Sequence, residues 1–158
     1  MKMHFRFAEM LYSARAQQQG IDNFPPASQP YIIDNIINTM RELECVRLTF
    51  QNPIIVTSGY RCPELNALVG GADNSQHMKG EAADITASRK ALNLELARLF
   101  LRSRRFDQLI LEHCDKDGVP QWLHVSYKRD GVNRQQWWRT DENGDVIKNS
   151  GSVEVINS

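Results

Sequence analysis

The sequence predicts an α+β domain in which a helical N-terminal half packs on a small, mainly antiparallel sheet. Three observations lead there. Helix-type hydrophobic patterns come first and strand-type runs later, without the regular βαβ alternation of a parallel sheet. The 158 residues fit one domain, 1–158, and leave little room for two. Apolar residues make up 41% and charged residues 24%, ordinary values for a chain that builds its own core.

Taken in order, Phe5 to Gln18 reads as a short helix broken at Gly20, and Asn23-Phe24-Pro25-Pro26 as a rigid connector. Ser28 is placed to cap a long helix running to about Glu44, with Pro30 tolerated in its first turn. Ile32, Ile33, Ile36, Ile37, Met40 and Leu43 form its apolar face, read as core packing. Ile54 to Thr57 is a strand ending at Ser58-Gly59, and Pro63 to Val69 a short helix stopped by Gly70-Gly71. Ala82 to Thr86 is a further strand. Ala91 to Arg102 is amphipathic, with Leu92, Leu96, Leu99 and Phe100 on one side. Asp107 to Glu112 and Trp122 to Ser126 are strands joined by the stretch from His113 to Pro120, and are expected to pair as a hairpin. Residues 128–158 form an extension in which Trp137-Trp138 and Val146-Ile147 make a last hairpin around Asn143-Gly144, capping the core.

Charge and cysteine content narrow the function. Lysine plus arginine equals aspartate plus glutamate at 19 each, so nothing draws the chain to nucleic acid or anionic lipid. No run approaches ~18 apolar residues, so no membrane partner is expected, and the chain is expected to act as a monomer. Cys45, Cys62 and Cys114 have neither the number nor the spacing of a disulfide framework or a thiolate zinc site. The segment MKMHFRFAEMLYSA lacks an uninterrupted apolar stretch and a small-residue cleavage site, so no secretory signal is read there.

Two of the four histidines stand in unusual company. His77 lies in Ser75-Gln76-His77-Met78-Lys79-Gly80-Glu81-Ala82-Ala83-Asp84, and His124 is central in the apolar strand Trp122-Leu123-His124-Val125-Ser126. Two imidazoles and one carboxylate suit Zn²⁺ and leave a fourth position for water, which zinc acidifies to a pKa of about 7. His4 and His113 have no patterned carboxylate neighbour.

Ser75-x-His77-x-x-Gly80-x-Ala82-x-Asp84, followed by Trp122-x-His124-Val125-Ser126, resembles the zinc D-alanyl-D-alanine carboxypeptidase family. That family includes vancomycin-resistance D-Ala-D-Ala dipeptidases and phage endolysins, and shares its fold with the hedgehog signalling domain. Thr57-Ser58-Gly59-Tyr60-Arg61 looks like its S-G-Y-R segment, and Gly70 to Ser75 like the loop entering the first ligand. Phe106 to Glu112 and Asn23-Phe24-Pro25 are similar to the phage-type branch. The resemblance covers roughly Phe5 to Tyr127.

It implies a hedgehog/DD-peptidase-like sheet carrying one Zn²⁺ per chain on His77, Asp84 and His124. Arg61 would bind the substrate carboxylate or polarise its carbonyl, and Ser75 would be a supporting hydrogen-bond donor near Asp84. Many family members carry an acidic general base three residues before the second histidine; Gln121 stands there in this chain. Glu112 is the expected substitute, because a hairpin register placing it opposite Trp122 turns its carboxylate to the face of His124. The implied substrate is a peptidoglycan peptide, cut by a D-Ala-D-Ala carboxypeptidase or an endolysin-type endopeptidase. The alternative is a catalytically inactive zinc-fold binding module. The expected setting is synthesis in the cytoplasm and action on the cell wall after lysis or from a phage particle.

Overall fold

The computed structural model describes residues 3–147. Five helices, α1 (Phe7–Leu11), α2 (Ala14–Gln19), α3 (Tyr31–Phe50), α4 (Pro63–Leu68) and α5 (Asn93–Ser103), accompany five strands, β1 (Ile54–Ser58), β2 (Ala82–Ala87), β3 (Gln108–Glu112), β4 (Trp122–Ser126) and β5 (Gln136–Arg139). The strands form one sheet in the order β1-β2-β4-β3-β5. Its pairs are antiparallel except β3 with β5, which run parallel. The α+β architecture expected from the sequence is the one observed. Among the described residues, no helix is long and apolar enough to cross a membrane.

Alternation along the strands divides the sheet into two faces. Ala83, Ile85, Leu109, Leu111, Leu123 and Val125 are fully buried and pack in one core with Ile36 and Leu43 of α3 and Leu96 and Phe100 of α5. Each large side chain among them contributes roughly 1.5–3 kcal/mol by leaving water. Asp84, His124, Ile110 and Glu112 occupy the alternate positions, so the face turned from the helices is left for chemistry.

Several elements differ from their expected form. The N-terminal helix is two helices: Tyr12 is extended, and the Ser13 side chain caps α2 by accepting from the Ala16 N–H. Gly20 closes α2 in the left-handed region, where the sequence breaks as expected. Helix α3 begins after Pro30 rather than Ser28 and continues past Glu44 to Phe50. Val46 and Phe50 extend the buried stripe of Ile32, Ile36, Met40 and Leu43, and so carry the helix on. Ile37 lies off that stripe and is exposed. The last hairpin is reduced to a Thr140–Val146 bridge, and β5 instead adds to β3. Trp137 packs against the core, whereas Trp138 aligns with Ile110 on the other face. The expected tail beyond Ile147 lies outside the described residues.

Candidate metal centre

One register row crosses the whole sheet: Ser58, Asp84, His124, Ile110 and Trp138 are successive partners on β1, β2, β4, β3 and β5. Asp84 and His124 are therefore direct cross-strand neighbours, a closeness dictated by pairing. His77 arrives from a short 3-10 turn, Gln76–Lys79, which precedes β2.

That turn is fixed from several sides. Ser75 caps it, its hydroxyl accepting from the His77 N–H at 3.3 Å. Gly80 ends it at φ +71, and a Cβ there would lie 2.7 Å from the Ile32 carbonyl oxygen. Asn35 and Thr39, two buried polar residues one turn apart on α3, donate to the Lys79 and Gly80 carbonyls at 2.9 and 3.0 Å. They are the partners that buried polar groups require. The unusual placement of an Asn and a Thr within an apolar helix was the available sequence signal.

His77 donates from Nδ1 to the Gly59 carbonyl at 2.7 Å, which turns Nε2 inward. His77 Nε2 lies 3.2 Å from His124 Nδ1 and 3.3 Å from Asp84 Oδ1; His124 Nδ1 lies 3.0 Å from the same oxygen. Three donor atoms thus form a nearly equilateral triangle. Atoms bound at ~2.0–2.1 Å to a tetrahedral ion stand roughly 3.3–3.4 Å apart, close to this triangle. Burial pushes the His77 imidazole below its ordinary pKa, toward the neutral form that offers a lone pair. A carboxylate facing imidazole lone pairs calls for a cation, and this donor set fits Zn²⁺. His77, Asp84 and His124 are the group among the described residues placed to hold a metal ion.

Arg61 stands at the edge of the triangle. It donates to Asp84 Oδ2 at 2.7 Å and, through Nε, to Ser58 Oγ at 2.9 Å. Its backbone is held by Asn23, whose side chain donates to Leu11 and Tyr60 carbonyls at 2.9 Å each and accepts from the Cys62 N–H at 2.8 Å. The connector beginning at Asn23 is therefore tied to both sides of Arg61. Ser75 was expected to donate near Asp84; its hydroxyl instead supports the His77 backbone. Arg61 was expected to grip substrate, and part of its donor fork is already engaged by Asp84 and Ser58.

Glu112 pairs with Trp122 and shares its face with His124, the register anticipated for it. Its Oε2 accepts from the Thr140 hydroxyl at 2.9 Å. Gln121 is exposed and its N–H donates to the Glu112 carbonyl at 2.8 Å. His113, which carries no patterned neighbour in sequence, packs its ring on Trp122 with centroids 4.7 Å apart. Asp107, fully buried, receives Arg134 and Gln76 and so ties the residue before His77 to the start of β5. These links cross from one segment to another and have no signature in local spacing.

Comparison with known proteins agrees with this geometry. The peptidase M15 family model matches residues 3–126. The zinc D-Ala-D-Ala carboxypeptidase of Streptomyces albus G is 44% identical over 54 residues, which cover 34% of this chain and 21% of that protein. The chain therefore aligns with about a fifth of this relative's length.

Proposed function

Since the chain belongs to the peptidase M15 family, we propose that it is a zinc-dependent peptidase that hydrolyses an amide bond in peptidoglycan peptides. The observation that carries this reading is the 3.0–3.3 Å triangle of His77 Nε2, Asp84 Oδ1 and His124 Nδ1. Zn²⁺ bound there supplies a Lewis acid for the scissile carbonyl and acidifies water. The protein's own groups do the rest. Asp84 is held by Arg61 through Oδ2, which leaves Oδ1 for the metal. The guanidinium edge of Arg61 not spent on Asp84 and Ser58 binds the substrate carboxylate or carbonyl. Glu112 takes a proton from the attacking water and passes it to the leaving amine, which departs as the amide C–N bond breaks.

The bond is either the terminal D-Ala-D-Ala amide or an endopeptidase site in the peptide stem or cross-bridge. The likeness of Phe106 to Glu112 and of Asn23-Phe24-Pro25 to phage-type peptidases supports a lysin that reaches the wall after lysis or from a virus particle. A second reading, a zinc-holding module without turnover, is favoured by the exposed Gln121 at the position where many relatives carry an acid. Mass spectrometry of muropeptides before and after incubation with the protein separates the two. Hydrolysis predicts shortened or uncross-linked peptides and identifies the bond. Unchanged muropeptides with a full complement of zinc would support the binding module.

A further inference from the structure

We infer that Thr140 is a positioning residue for the Glu112 carboxylate, so that the segment beyond the family-matched region completes the reactive face. The inference rests on the reading of Glu112 as general base. Glu112 is the last residue of β3, and His113 after it turns into the left-handed region at φ 49. A glutamate at a strand end, with several free torsions, would sample many rotamers unless something held it.

Thr140 is what holds it. The residue is 4% exposed, and each of its polar groups is engaged with the Leu111–Cys114 segment. Its N–H donates to the Leu111 carbonyl at 2.9 Å, and its carbonyl accepts from the Cys114 N–H at 3.0 Å. Its hydroxyl accepts from the His113 N–H at 2.8 Å. A backbone N–H can only donate, so the hydroxyl's own proton is free for a second partner, and Glu112 Oε2 lies 2.9 Å away. The direction of the bond is thereby fixed: Thr140 donates and Glu112 accepts, as an ionised carboxylate requires. Oε2 is the carboxylate oxygen that Thr140 holds.

Residue 140 lies outside the matched span of 3–126. With Gln121 in place of the acid found in many relatives, the proton acceptor in this chain sits on β3 and is held by a hydroxyl that follows β5. The extension therefore serves the chemistry as well as covering the core.

The test compares Thr140→Val, which removes the hydroxyl at nearly constant shape, with Thr140→Ser, which keeps it. Both are made in the native chain and in Glu112→Gln, and kcat, KM and zinc content are measured on soluble peptidoglycan fragments. Thr140→Val is expected to lower kcat about tenfold, the scale of one hydrogen bond to a charged group, with KM and zinc unchanged. Thr140→Ser restores kcat to within about twofold. In the Glu112→Gln background, itself down at least about 100-fold, Thr140→Val adds no further loss. Should Thr140→Val not fold, Thr140→Cys, with a weaker donor in the same place, is expected to give an intermediate kcat. An impaired Glu112→Gln beside an unimpaired Thr140→Val or Thr140→Cys overturns the role of Thr140 alone. So does a Thr140→Val loss of equal size in both backgrounds. Full activity in Glu112→Gln overturns the base assignment, and the role of Thr140 with it.

Discussion

Arg61 and Asp84 meet at 2.7 Å, guanidinium N–H to Oδ2, while the opposite oxygen of the same carboxylate faces both imidazoles. The arginine thus sets which oxygen Asp84 presents. Arg61→Lys removes the planar fork that spans Asp84 and Ser58, and an ammonium cannot replace both contacts. Zinc affinity, measured by competition with a chromogenic chelator, is expected to fall about 10–100-fold. Turnover is expected to fall at least about tenfold, equivalent to ~1.4 kcal/mol in the transition state. Native affinity and native kinetics in Arg61→Lys would mean that the Arg61–Asp84 contact contributes to neither.

Gly59 couples the core to the same centre. A Cβ on it would lie 2.3 Å from the Met10 carbonyl oxygen and 2.7 Å from Met10 Cα, backbone atoms that cannot rotate away. Its own carbonyl orients His77. Gly59→Ala is expected to cost about 2–3 kcal/mol, a loss of several degrees in Tm, and to weaken zinc binding through the displaced carbonyl. Thermal unfolding with and without zinc measures both effects. A Tm within a degree of the native value would show that α1 yields at Met10 without consequence.

Asp107 gives a pH dependence with a definite sign. Burial opposes its ionisation, but hydrogen bonds from Arg134 and Gln76 outweigh this and bring the carboxyl down to about 2 from an ordinary 3.8. A depressed carboxyl stabilises the folded chain fully above its unfolded pKa, and the contribution is lost as pH falls through the folded value. Between about pH 4 and pH 2 the native protein should lose on the order of 2 kcal/mol through this group. Asp107→Asn is expected to be less stable near neutrality and to lose less across that window. Denaturant unfolding at a series of pH values measures the difference between the two curves. Parallel curves would remove Asp107 from the acid response.

The three candidate metal-site residues were legible in sequence through motifs that resemble those of the zinc carboxypeptidase family. Ser75-x-His77-x-x-Gly80-x-Ala82-x-Asp84 and Trp122-x-His124-Val125-Ser126 carry that resemblance, and period-two alternation puts Glu112 on the face of His124 once the fold pairs it with Trp122. What escaped reading depends on distant contacts. The end of α3 at Phe50 is decided by burial of Val46 and Phe50 against other elements, not by a stop signal after Glu44. The two-tryptophan segment resembles half of a hairpin, and only the open edge of β3 decides that it pairs there, in parallel. The partners of Arg61 and Glu112, 23 and 28 residues away in sequence, follow from the folded sheet.

One Zn²⁺ on His77, Asp84 and His124 is expected to make this protein a peptidase. The direct measurement is a zinc titration into chelated protein, following release of new amino groups from purified peptidoglycan. Activity is expected to be absent at the start, to rise in proportion to added zinc and to level off at about one equivalent per chain. His124→Ala should neither retain the metal nor recover activity. Cleavage by the fully chelated protein, or none with one zinc bound per chain, would rule out a zinc-dependent peptidase centre on these residues.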